Sequence, residues 1–341
     1  MNSSDTISKS DFAPTGTTRS ERYDEWRESI SVLFEVDIVD EFADANFDVR
    51  LRSYWLGAAV VVETTTCAQW FRRPASRIAR DGLDHYIIQL FTSGGCVIEG
   101  TRQTGPGDIL VIDAAQPYSA VTSDFSNVSL VLPRNSLAPL LEKPDEVHGK
   151  VFCGNTAVTK ILHNHLLAFS HNLPQLDTQS ANALLLPTLH LIAAAINPSL
   201  TGNDEVRRTT RWAQQQRIKD LLRSQLSDYT LAPDDIAQCC RLSRSELYRL
   251  FEVEGGVMRF INRERLRIAV QILLRPRSSN LSMQEIADEC GFRSHSQFCR
   301  SFRKQYGMSP RDFRKTPVNA SYSQRSTRLG SRQYESWISR L

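Results

Sequence analysis

The spacing of apolar positions changes period twice along the chain. Trp26, Ile30, Leu33 and Phe34 stand at i, i+4, i+7 and i+8 within residues 20–34, which places them on one face of a helix. From about 36 to 135 the texture becomes short runs rich in Val, Ile, Tyr and Thr: YWLGAAVVVETT, HYIIQLFTSGGCVIEG, GDILVIDAAQPYSAV and NVSLVLP. Such runs between Gly, Pro and Asp read as strands, and several at this spacing predict an all-β barrel or sandwich. The helical period returns over about 156–196. Ile161, Leu162, His165, Leu166 and Phe169 share a face, and ANALLLPTLHLIAAAI is apolar on more than one, as in a buried or partner-facing helix.

The Pro-, Gly- and Asn-rich stretch at 197–206 marks a linker. Beyond it, two segments match one another: APDDIAQCCRLSRSELYRLFEVEGG (232–256) and SMQEIADECGFRSHSQFCRSFRKQYGMSP (282–310). Each opens with a helix start and Ile-Ala, breaks, and restarts as a second helix. Pro233 suits a first helical position, with Asp234 and Asp235 in the first turn where they complement the helix dipole. Ser282 with Glu285 and Ser243 with Glu246 have capping-box spacing. Short helix, tight turn, second helix is a helix-turn-helix, present twice.

Ile236, Leu242, Leu247, Leu250 and Phe251 form the inner face of the first unit; Ile286, Phe292, Phe298, Ser301 and Phe302 form that of the second. Left outward are Arg244, Ser245, Tyr248 and Arg249, then Arg293, His295, Ser296, Gln297 and Arg300. These hydrogen-bonding side chains at a helix N-terminal half suit base edges in a major groove. The amphipathic run FINRERLRIAVQILLRP (260–276) joins the units as one helix and can set them about one DNA turn apart.

Charge sharpens this division. Residues 1–206 carry 15 Lys and Arg against 25 Asp and Glu, whereas 207–315 carry 22 against 12. An acidic half joined to a basic half points to nucleic-acid contact by the basic part, the bland alternative being two solvated surfaces of opposite sign. The seven cysteines form no repeated framework and read as reduced, packed thiols of a cytoplasmic protein. Cys290, His295 and Cys299 are too few for a structural zinc site, and the strand region holds only His85. No metal, other cofactor or catalytic residue is therefore expected. Residues 1–20 read as a polar, disordered arm without a signal-peptide core, and 316–341 as a basic polar tail whose Trp337, Ile338 and Leu341 hint at docking.

Residues 207–315 resemble the DNA-binding domain of the AraC/XylS family of transcription regulators. IADECGFRSHSQFCRSFRKQYGMSPRDFR carries the resemblance, through Ile286-Ala287, Gly291-Phe292, Phe298, Phe302, Gly307 and Ser309-Pro310. One departure is Arg241, which stands in the first unit where the second has its turn glycine; a positive φ there costs about 1 kcal/mol. DHYIIQLFTSGGCVIEG, GPGDILVIDAAQPYS and SLVLPRNSL likewise resemble the cupin-like regulatory domain of that family.

The resemblance implies a two-domain α+β chain: a cupin-like β-barrel with flanking helices over 21–196, then an all-α double helix-turn-helix domain. It further implies an activator with a small organic effector in the barrel, double-stranded DNA and RNA polymerase as partners, and homodimerisation through the helices. Trp55, Trp70, Tyr86, Gln89 and Tyr118 are the candidate effector contacts, although each also suits a core or rim position. Arg263, Arg265, Arg303 and Lys304 are candidate phosphate contacts. A cupin-type enzyme with a tethered DNA-binding domain and an architectural DNA binder are the rival readings.

Overall fold

A computed structural model describes residues 7–39, 47–197, 214–215, 217–252, 255–274, 281–315 and 333–341. The expected linker beyond Asn197 and the tail as far as 332 lie outside the described residues. The chain forms two units. One comprises 1–74, 83–205 and 330–341; the other comprises 75–82 and 206–329.

The strands are β1 Ser8–Phe12, β2 Glu35–Ile38, β3 Val49–Trp55, β4 Val60–Thr66, β5 Gln69–Arg73 and β6 His85–Ser93. They continue with β7 Cys96–Ile98, β8 Arg102–Gln103, β9 Ile109–Asp113, β10 Tyr118–Thr122, β11 Phe125–Pro133 and β12 Lys150–Phe152. The helices are α1 Arg19–Ile30, α2 Ala75–Asp81, α3 Arg134–Leu137, α4 Ala157–Asn172, α5 Thr178–Ile196 and α6 Pro233–Cys239. Then follow α7 Arg244–Leu250, α8 Val257–Leu273, α9 Met283–Glu289, α10 His295–Tyr306, α11 Pro310–Lys315 and α12 Gln333–Arg340.

In the first unit β1-β3-β4-β11-β6-β9-β12 form a seven-stranded sheet and β2-β5-β10-β7-β8 a five-stranded one. Alternate residues of both sheets meet in one core: Leu51, Val62, Ile87, Leu110 and Val131 from the first, Val36, Phe71, Ile98 and Ala120 from the second. The expected cupin-like barrel is thus a sandwich, not one closed sheet, because each sheet keeps its own edge strands. Helices α4 and α5 pack together, α5 burying Leu185, Leu189 and Ile192.

Part of the expected N-terminal arm is ordered. β1 pairs antiparallel with β3 from Ser8↔Trp55 to Phe12↔Leu51, and the Phe12 ring lies 6.1 Å from Trp26. Its charged residues face outward, where Asp11 meets Lys9 at 2.7 Å and Arg52 at 2.9 Å. The open edge of β3 supplies a ladder that the polar composition of the segment concealed. The last helix, α12, also belongs to this unit, with Tyr334, Trp337 and Ile338 in its core.

The second unit follows the duplicated pattern. α8 shares Val257, Phe260 and Ile261 with the first helix-turn-helix core and Leu266, Ala269, Val270 and Leu273 with the second. Its 17 residues make a rod about 25 Å long. Pro233 opens α6, and both expected capping boxes are formed, Ser243 with Glu246 and Ser282 with Glu285. Residues 75–82, expected in the N-terminal domain, join this unit instead. The α2 residue Ala79 is buried in the second core, and the Arg80 guanidinium sits 5.3 Å over the Phe313 ring.

Candidate DNA-binding surface and effector cavity

The second helices of the two units, α7 and α10, hold their apolar sides inward and leave a polar side exposed. Leu247, Leu250, Phe251, Phe292, Phe298 and Phe302 are buried, as the inner-face pattern requires. Arg244, Ser245, Tyr248 and Arg249 are exposed on α7; His295, Ser296 and Arg300 are exposed on α10, with Gln297 half-buried. Arg244 lies 3.3 Å from Asp234 and 5.7 Å over the Tyr248 ring. His295 meets the Cys299 thiol at 3.3 Å, whereas Cys290 is wholly buried and its thiol is pushed up to about 12 by burial. Among the described residues no group of three or more His, Cys, Asp or Glu gathers as a metal site.

The turns that aim these helices differ in strain. Gly291 has φ 77°, and a Cβ there would stand 2.2 Å from the Leu226 carbonyl oxygen, so glycine answers both conformation and space. Arg241, its counterpart, does adopt φ 54°.

Of the four expected phosphate ligands, Arg263, Arg303 and Lys304 are exposed. Arg265 is not: it is 3 % exposed, its Nε donates to the Leu226 carbonyl at 2.9 Å and an Nη to that of Asp228 at 2.6 Å. Its place on the inward side of α8 turns it from a phosphate ligand into a tie holding the 226–228 turn against the rod.

Inside the sandwich lies a small cavity. Its wall is mostly apolar, from Trp26, Leu33, Phe34, Phe71, Phe91 and Phe125 among others. Against this wall stands a polar patch on three adjacent strands. Asn127 is opposite Thr64 and Ser129 opposite Gln89, and all four line the cavity. The register of β11 shifts between Ser126 and Asn127, a bulge that re-aims the strand here. Asn127 is 4 % exposed and its Oδ1 is buried with no hydrogen-bond partner.

The expected effector contacts divide. Gln89 and Tyr118 line the cavity. Tyr86 is fully buried elsewhere, its hydroxyl donating to the Pro144 carbonyl at 2.7 Å under the Arg134 guanidinium. Trp70 is 40 % exposed, and Trp55 stacks on Trp337 at 6.1 Å. Sequence reasoning passed over Thr64, Asn127 and Ser129. The signal was a period of two in SNVS, where polar residues recur on the face that Phe125 and Val131 mark as inward.

Known proteins share this organisation. The AraC-binding-like domain profile matches residues 26–197, and a helix-turn-helix domain profile matches 236–316. The transcriptional activator NphR of Rhodococcus sp is 24% identical over 304 residues, 85% of this chain and 88% of its own length. The Msm operon regulatory protein of Streptococcus mutans is 25% identical over 254 residues, 69% of this chain and 86% of its own. The crystal structure of the AraC-like transcriptional activator CuxR covers 77% of this chain and 95% of its own, with a TM-score of 0.52 and 22% identity. With an AraC-binding-like sandwich followed by two helix-turn-helix units on one rod, the chain belongs to the AraC family of DNA-binding transcription regulators.

Proposed function

We propose that this regulator is a cytoplasmic activator whose sandwich cavity takes a small organic effector. The observation that carries this reading is the buried, unpartnered Asn127 Oδ1 within a four-residue polar patch on an otherwise apolar wall. A buried acceptor without a donor costs about 1–3 kcal/mol, which a ligand N–H or O–H offsets on binding. The effector is thus apolar over most of its surface and carries at least one donor. Arg244, Ser245, Tyr248 and Arg249 read one major groove and His295, Ser296, Gln297 and Arg300 the next, while Arg263, Arg303 and Lys304 hold phosphates. The exposed Ile161 on α4 and Leu184 and Leu186 on α5 support a homodimer through these helices, with RNA polymerase as the further partner.

The test is a thermal-shift screen of small organic metabolites, followed by operator binding with and without each hit. An effector raises Tm in the wild type and changes operator affinity. Asn127→Leu keeps the branched outline with two larger methyl tips, removes the unsatisfied acceptor, and leaves the free protein as stable or about 1 kcal/mol more so, while the effector's shift falls by at least half. Full response in Asn127→Leu removes the polar patch from the reading.

A further inference from the structure

The wall of the cavity contains one residue from the far end of the chain. Tyr334 lines it, 3 % exposed, although more than two hundred residues separate it from the last strand residue of the wall, Val131. It is carried by α12, whose Ile338 is fully buried in the same core and whose Trp337 stacks on Trp55 of β3. α12 has only 8 residues. Isolated helices shorter than about 12–15 residues are marginal in water, so α12 owes its order to these three docked side chains. A segment that is helical only when docked is a two-state element. Tyr334 also has the character of the molecule the cavity is built to take, an apolar ring with one polar tip.

Resting on the reading of the cavity as the effector site, we propose that α12 closes that cavity with the Tyr334 ring, that an effector needs the space of this ring, and that effector binding and α12 docking exclude one another. The effector takes the space of the Tyr334 ring, the helix loses its anchor, and the last residues leave the sandwich. Because the two compete, anything that weakens α12 docking tightens effector binding, up to the factor by which docking had weakened it. The C-terminal residues thereby become a readout of cavity occupancy, on the same stretch of chain that follows the DNA-binding unit.

The experiment uses the full chain and the double variant Tyr334→Ala/Trp337→Ala. Hydrogen exchange is expected to show the amides of 334–340 exchanging at least tenfold faster in the variant, with the strand amides of β4, β6 and β11 unchanged. A fluorescein-labelled peptide of residues 330–341 is then expected to bind the double variant at least tenfold tighter than the wild type, whose own helix fills the site. The same peptide with Tyr334→Ala binds at least tenfold weaker, a control that asks nothing of protein folding. Equal peptide binding by the two chains, or unchanged protection of 334–340, overturns the proposal. Molecules found by thermal shift stabilise the double variant more than the wild type if exclusion holds; equal stabilisation overturns exclusion and leaves the effector reading intact. Peptide binding as expected, with no stabilising molecule found, supports the docked helix and removes the effector reading.

Discussion

At Gly291 and Arg241 the same turn is built from two residues of opposite tolerance. Gly291 needs both its φ of 77° and the empty space against Leu226, so Gly291→Ala is expected to cost roughly 2–4 kcal/mol and to lower Tm sharply. Arg241 holds φ 54° at a cost of about 1 kcal/mol, part of which glycine's greater freedom in the unfolded chain cancels. Arg241→Gly is therefore expected to stabilise by about 0.5 kcal/mol, seen as a Tm rise of a few degrees; a fall would show that the Arg241 side chain contributes more than its backbone strain. The turn was legible because a glycine between two helical patterns has a conformational meaning. Asn127 was not, because a polar residue on a strand faces solvent or core with equal ease until the register is known. His148 shows a second residue-level effect invisible in sequence. Its Nδ1 accepts from the Asp113 backbone N–H at 3.1 Å, and burial holds its pKa below the ordinary 6.5. The unfolded chain takes up a proton near pH 6.5 that the folded ring takes up only at lower pH. Stability is thus complete above that value and lost as pH falls through the lowered pKa. Urea unfolding at pH 7.5 and 5.5 should show this loss, and His148→Gln should flatten it; an unchanged slope would assign the loss to other groups such as His165, also lowered by burial.

Elements declare themselves unevenly in the sequence, and the silent ones share a cause. Helices α6, α7, α9 and α10 are each announced locally, by Pro233, by two capping boxes, and by Gly307, which ends α10 with φ 74°. β1, α2 and α12 are not, since each acquires its place from a distant partner: the β3 edge, the second helix-turn-helix core, and the sandwich interior. Short segments of mixed polarity do not declare where they dock. Arg265 makes the same point within α8. Basic charge alone grouped Arg265 with Arg263, but two positions apart on one helix they stand on nearly opposite faces, Arg263 exposed and Arg265 buried. Arg265→Ala strands two carbonyls and removes a buried stem, so it is expected to destabilise by about 2–3 kcal/mol. At 10 °C, where the variant remains folded, its operator affinity should match the wild type, whereas Arg263→Ala weakens binding. Comparable losses for the two in gel-shift titrations would return Arg265 to the DNA.

On the scale of the whole molecule, charge divides along the same line as architecture, which is why the functional class was readable before any contact was known. The basic half draws DNA through counterion release, a force blind to sequence that weakens with salt. In the function proposed above, discrimination comes from the few side chains that α7 and α10 leave exposed. Arg300 and Lys304 lie one helical turn apart on α10 and are both exposed, yet they are expected to do different work. Arg300→Ala should lose about 1–3 kcal/mol against the cognate base at one operator position and bind variants at that position almost equally. Lys304→Ala should weaken every sequence alike and reduce the slope of log affinity against log salt by about one. Footprint titrations over 50–200 mM salt with an operator library separate the two outcomes. Identical position dependence for both variants would mean that α10 lies along the backbone instead of entering the groove, and the assignment of base contacts would pass to α7 alone.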